Sequence, residues 1–167
     1  MILRTQLVFA VTVVVLLCAA TIKRSTVYID EMTLWSDAVA KSPAKARPLT
    51  MVGLEFQKRF DNDKAILYFE QAVKAQPDCP EALNNLANLY VQSGRRDLAV
   101  ELFQRAVLSA PRSLPFRSNL AITYYSAGML DKSKNEYAII ITLAPRSPEA
   151  AFARYMLNEI QKAASGH

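Results

Sequence analysis

Apolar residues recur along this chain at the spacing of one helical face, and the pattern itself repeats. Leu86, Ala87 and Tyr90 stand at i, i+1 and i+4, and Ala99, Phe103 and Ala106 at i, i+4 and i+7, so each set lines one side of a helix. Gly94 between the two sets suits a left-handed residue just after the first helix, and Pro111 stops the second. Residues 80–113 can be laid over 114–147 without a gap, at an offset of 34. The slots holding Leu83, Leu86, Ala87, Tyr90, Gly94, Ala99, Phe103, Ala106 and Pro111 then hold Arg117, Leu120, Ala121, Tyr124, Gly128, Ser133, Tyr137, Ile140 and Pro145. One offset earlier, over 46–79, they hold Leu49, Val52, Gly53, Phe56, Ala65, Phe69, Ala72 and Pro77.

Outside these three blocks only halves of the pattern survive. Trp35, Ala38 and Pro43 keep the second half of an earlier repeat, and 148–164 supplies a first half, opened by Ser147, Pro148 and Glu149 as N-cap, first helical residue and first-turn acid. The predicted organisation is a linker and half-repeat helix over 25–45, helix pairs over 46–79, 80–113 and 114–147, and a capping helix over 148–164. Each pair leaves an apolar face that only its neighbours can cover. One slot departs from the pattern: Phe60 stands where the later blocks have Gly94 and Gly128. A side chain is strained in a left-handed turn, so the turn is expected to move to Asn62 or its neighbours. The acidic cluster Asp61, Asn62 and Asp63 reads as a turn, since no calcium-loop spacing follows it.

The small residue, aromatic and proline at these offsets resemble the tetratricopeptide repeat, over about 135 of the 167 positions. The resemblance implies an all-α, right-handed solenoid of helix hairpins whose first helices line a concave groove for a peptide or helix of another protein. Carried over slot by slot, the groove residues are Arg47, Thr50, Leu54, Gln57 and Lys58, then Glu81, Asn84, Asn88, Val91 and Gln92, then Ser118, Ile122, Tyr125 and Ser126, with Phe152 and Met156 from the capping helix. Asn84 and Asn88 offer amides to a peptide backbone, and Ile122, Tyr125, Phe152 and Met156 an apolar patch, unless Phe152 and Met156 are core. Asn85 and Asn119 fall where asparagine is commonly structural. Beyond Arg47 and Lys58 the groove lacks the basic set that clamps a C-terminal carboxylate, which argues against a chaperone-tail receptor.

The N-terminal stretch is apolar without periodicity. Residues 7–22 carry no charge, and a helix of 16 residues spans roughly 24 Å against roughly 30 Å of hydrocarbon. Extension back through Ile2 and Leu3, with Arg4 snorkelling, makes a single transmembrane anchor over 1–24 feasible. A cleaved signal peptide, cut after Ala20, is the alternative. Arg4 and the amino terminus balance Lys23 and Arg24, so charge leaves the orientation open. A repeat domain outside the cytoplasm on a bacterial inner membrane is the expectation. The anchor, the basic pair, the run 30–35 and the run 42–47 are also similar to the junction in O-mannosyltransferase-like membrane proteins, where a last transmembrane helix leads into such repeats. The catalytic membrane domain of that family has no counterpart here, so no transferase activity is carried over.

Composition removes other classes. The net charge of +5 comes from basic residues interleaved with acidic ones, a solvated surface rather than a nucleic-acid footprint. The single histidine is the terminal His167, Cys79 falls in a turn, and no metal-ligand spacing or phosphate loop occurs, so neither an enzyme nor a cofactor is expected. The function left is binding: a membrane-anchored interaction scaffold, or a structural or assembly subunit of a larger membrane complex held by its anchor.

Overall fold

The computed structural model describes residues 30–165, and among them it contains eight α-helices and no strand. They are α1 (Glu31–Lys41), α2 (Ala46–Lys58), α3 (Asn62–Ala75), α4 (Pro80–Gln92), α5 (Arg96–Ser109), α6 (Leu114–Ser126), α7 (Leu130–Leu143) and α8 (Pro148–Ser165). The apolar run at 7–22, and with it the expected anchor or signal peptide, lies outside the described residues, as does His167. Among the described residues no helix is long and apolar enough to cross a membrane.

The helices alternate in two rows. α2, α4, α6 and α8 begin 34 residues apart, as do α3, α5 and α7. Each helix packs on its chain neighbours, and α2, α4, α6 and α8 also touch one after another. This is the layout of hairpins stacked in one dimension, in which every pair contacts only the pairs beside it.

The turns recur as faithfully as the helices. After α4 and α6 the chain enters the left-handed region at Gly94 (φ +78°) and Gly128 (φ +73°). The next amides, of Arg95 and Met129, reach back to the Tyr90 and Tyr124 carbonyls at 2.8 and 2.9 Å. After α2 the same turn is made by Phe60 at φ +60°, with the Asp61 amide on the Phe56 carbonyl at 3.0 Å. The expected shift of the turn to Asn62 does not occur, and Asn62 opens α3. The Phe60 side chain is 92% exposed, so the ring meets no steric barrier and only the backbone strain remains. Asp61 offsets part of it, capping α3 by accepting from the Lys64 amide at 3.2 Å.

The core follows the slots. Phe69, Phe103 and Tyr137 are at most 1% exposed, each enclosed by small residues on the facing helices. At Gly53 the approach is closest: a Cβ there would lie 2.6 Å from the Phe69 ring. Ala87 and Ala121 fill that slot in the later pairs and are fully buried. Fully burying an aromatic of this size contributes about 1.5–3 kcal/mol each relative to exposure.

The two ends differ. α8 closes the array through Ala150, Ala153 and Ile160, all 0% exposed, and Ser147 caps it by accepting from the Ala150 amide at 3.1 Å. α1 contributes no buried residue, although Trp35 and Ala38 stand in slots that are fully enclosed in the complete pairs. It packs Val39 onto the cluster of Ala46 and Leu49, and exposed ion pairs join the same two segments, Lys58 with Glu31 at 2.7 Å and Arg59 with Asp30 at 3.6 Å.

Candidate protein-interaction groove

The contacts that run from α2 through α4 and α6 to α8 set the first helices side by side, and the side chains they turn away from α3, α5 and α7 form a continuous face. Arg47, Lys58, Gln92, Ile122, Tyr125 and Phe152 are exposed on these helices, and Leu54, Gln57, Asn88, Ser118 and Met156 are half-buried. Ile122, Tyr125 and Phe152 are 43%, 39% and 42% exposed, which is high for large apolar side chains inside a folded array.

Two of the expected groove residues turn inward. Thr50 is 5% exposed and donates its hydroxyl to the Ala46 carbonyl at 2.9 Å, a bond within its own helix. Asn84 is 9% exposed, and its Oδ1 accepts from the Asn119 amide at 2.8 Å. Its own amide reaches Asn85 Oδ1 at 3.4 Å. Asn84 and Asn119 thus clip α4 to α6, and the amide expected to meet a peptide backbone is occupied by a structural bond. Lys58 is exposed but engaged: its ammonium meets Glu31 at 2.7 Å and Glu55 at 2.5 Å. Those two carboxylates, Glu31 first, hold its pKa up at about 12.

At the α2 end the face deepens into a cleft of about 500 Å³ between α2, α4 and the loop joining α3 to α4. Arg47, Thr50, Leu54 and Glu81 line it as expected, together with Met51, Gln76, Cys79, Pro80 and Asn85. The guanidinium of Arg47 and the carboxylate of Glu81 put both signs of charge on a mostly apolar wall. Met51 and Asn85 were legible by spacing alone, each four residues beyond Arg47 or Glu81 on the same helical face. Cys79 was legible only as a turn residue. It is 8% exposed, with its thiol 3.7 Å from the Glu81 carboxylate, because the stacked hairpins fold the loop over the cleft.

The far end of the face is apolar. The Phe152 ring stands edge-on to Tyr137, with centroids 6.2 Å apart and planes at 77°. Met156 packs against the cluster of Ala121, Tyr137 and Ile140. Met156 therefore belongs chiefly to the core of the cap, while Phe152 presents an open face. Behind them the Tyr137 hydroxyl is, among the described residues, the one buried side-chain polar atom without a hydrogen-bond partner, and burial pushes its pKa up to about 12. Between the two ends, the aromatic that closes each first helix is covered by a cation: Lys64 over Phe56, Arg95 over Tyr90 and Lys132 over Tyr124, at 5.2, 4.1 and 5.6 Å from the ring centres. Among the described residues no group of three or more His, Cys, Asp or Glu is placed to hold a metal ion.

Comparison with known proteins matches this geometry. No curated protein matches the chain by sequence. Solved structures do match in fold. The first TPR of Spaghetti (RPAP3) bound to the HSP90 peptide SRMEEVD is 23% identical with a TM-score of 0.65, over 72% of this chain and 94% of that one. The NMR structure of the first TPR domain of the human RPAP3 protein is 22% identical with a TM-score of 0.64, over 75% and 96%. The crystal structure of MamA is 16% identical with a TM-score of 0.62, over 81% and 90%. Residues 52–116, from the middle of α2 into α6, match the family model of the tetratricopeptide repeat, and the fold of the described residues is that of these solved structures.

Proposed function

We propose that the face formed by α2, α4, α6 and α8 receives a segment of another protein, and that the chain serves as an interaction scaffold rather than a catalyst. The observation that carries this is the pairing, on one continuous face, of a 500 Å³ cleft rimmed by Arg47 and Glu81 with an exposed apolar patch of Ile122, Tyr125 and Phe152. Such a surface fits a segment with polar or charged groups at one end and an apolar side chain at the other, the latter buried where aromatic contacts contribute most. The structural relative bound to the HSP90 peptide supports use of this fold for holding a peptide. The ligand itself is not carried over, because at 23% identity the likeness shows the fold alone.

The groove residues that carry the proposal are Arg47, Leu54, Asn88, Gln92, Ser118, Ile122, Tyr125 and Phe152. The uncharged run at 7–22 supports attachment to a bilayer as a single pass. A second reading, a subunit built permanently into a membrane complex, draws on that same run.

Site-specific photo-cross-linking in native membranes tests the groove. A photoreactive side chain at Tyr125 should yield a discrete adduct with a second protein, and one at Leu108, 78% exposed on α5, should not. Adducts from Leu108 alone, or equal adducts from both, would place the partner elsewhere.

A further inference from the structure

Charges that interleave along the sequence separate in space. Successive helices pack as antiparallel hairpins, so the turns fall on two edges of the stack. The turns of Phe60, Gly94 and Gly128 lie on one edge, and those of Pro43, Pro77, Pro111 and Pro145 on the other. On the first edge α3, α5 and α7 each open with an acid in one repeat slot, Asp63, Asp97 and Asp131. The cations of these turns are engaged: Lys58 with Glu31 and Glu55, Arg59 with Asp30, Lys64 with Asp61, and Arg95 and Lys132 over tyrosine rings. Arg96 is the exception among them.

On the proline edge the sign reverses. The slot of Asp78 holds Arg112 and Arg146 in the next two turns, and Lys45 stands in the turn before; all three cations are exposed. Arg105 and Arg154 are drawn to the same edge by bonds to the Pro77 and Pro145 carbonyls, at 2.7 and 2.6 Å. Each bond uses one N–H and leaves the rest of the guanidinium fork available. Every turn of this edge thus carries a cation, and among the described residues no carboxylate lies within ion-pair distance of any of them. Of the acids near these turns, Asp37 and Glu136 are taken by Lys41 and Arg117, which leaves Asp78, Glu81 and Glu149. An excess of one sign along one edge attracts the other.

We propose that the proline-turn edge docks an acidic segment of a partner protein, as a contact surface separate from the groove. Guanidinium forks meet carboxylates through paired, charge-assisted bonds. Asp78, Glu81 and Glu149 stand among the cations, so a segment that sets uncharged residues opposite them fits, whereas the uniform charge of a phosphate backbone meets repulsion there. Four turns at a helix spacing of about 10 Å extend over roughly 30 Å, the reach of about ten extended residues. Neither Arg112 nor Arg146 lines the cleft, so the inference does not rest on the groove.

The test uses the full chain in nonionic detergent and fluorescein-labelled decaglutamate, read by fluorescence anisotropy at low ionic strength. Arg112→Gln/Arg146→Gln is compared with Arg95→Gln/Arg96→Gln, which removes the same charge from the other edge. The parent should bind the peptide, the first variant should bind it weaker by roughly fivefold or more, and the second should stay within about twofold of the parent. Added salt should weaken the parent's binding. No binding by the parent, equal loss in the two variants, or displacement of the peptide by equimolar oligothymidylate of the same length would overturn the proposal.

Discussion

Phe60 is the residue most at odds with its position. It holds a left-handed backbone at φ +60° that its neighbours in the repeat assign to glycine. The left-handed region costs a side-chain-bearing residue roughly 1–2 kcal/mol, and glycine would give back roughly 0.5–1 kcal/mol in added backbone freedom. Because the ring is almost wholly exposed, little packing is lost. Phe60→Gly should therefore stabilise the protein by about 0.5 kcal/mol, seen as a melting temperature higher by about 1–2 °C. Gly53 behaves oppositely. Its Cβ would enter the Phe69 ring space, so Gly53→Ala should destabilise by about 1–3 kcal/mol in chemical denaturation, although alanine fills the same slot two helices later. Tyr137→Phe removes a buried hydroxyl that has no partner, and equilibrium unfolding should show a neutral change or a gain of about 1 kcal/mol.

At the scale of helices, the repeat was legible because most apolar slots recur at a constant offset, from Leu49 to Ile140, with Arg117 and Ser133 as the departures. Turn placement was legible at Gly94 and Gly128, where glycine advertises its conformation, and illegible at Phe60. There the hydrogen bonds of the turn and the Asp61 cap overrode local preference. The groove was legible as a set of slots but not residue by residue. Whether Asn84 faces solvent or Asn119 depends on how closely α4 and α6 approach, which no spacing within one helix encodes.

The α1–α2 junction gives a pH prediction at the same scale. The Thr33 hydrogen bond holds the Asp30 carboxyl below 3.8, and Lys58 holds that of Glu31 below 4.5. Their stabilisation is complete above those values and is lost as pH falls through the lowered ones. Lys58 is raised from 10.5 to about 12, so its share is complete below 10.5 and disappears as pH climbs toward 12. Trp35 emission, which reports α1, should hold steady between these limits and change outside them before helicity falls. These pairs are well exposed, and high salt should narrow the window.

Among the described residues the chain is a line of stacked hairpins capped by α8, with α2, α4, α6 and α8 side by side along one face. A stack of this kind tolerates changes on that face, since Arg47 and Tyr125 project from it while Ala87, Phe103 and Ile140 hold the core behind it. Binding and stability should therefore separate. Removing an aromatic or arginine anchor from an interface costs roughly 1–3 kcal/mol, so a double substitution should weaken capture by at least tenfold. The decisive measurement is the amount of partner retained by the full chain purified from native membranes, compared between the parent and Arg47→Ala/Tyr125→Ala, with thermal unfolding recorded on both. A tenfold loss of partner at an unchanged melting temperature is the predicted result; undiminished retention at fixed stoichiometry would contradict it and assign the partner to another surface.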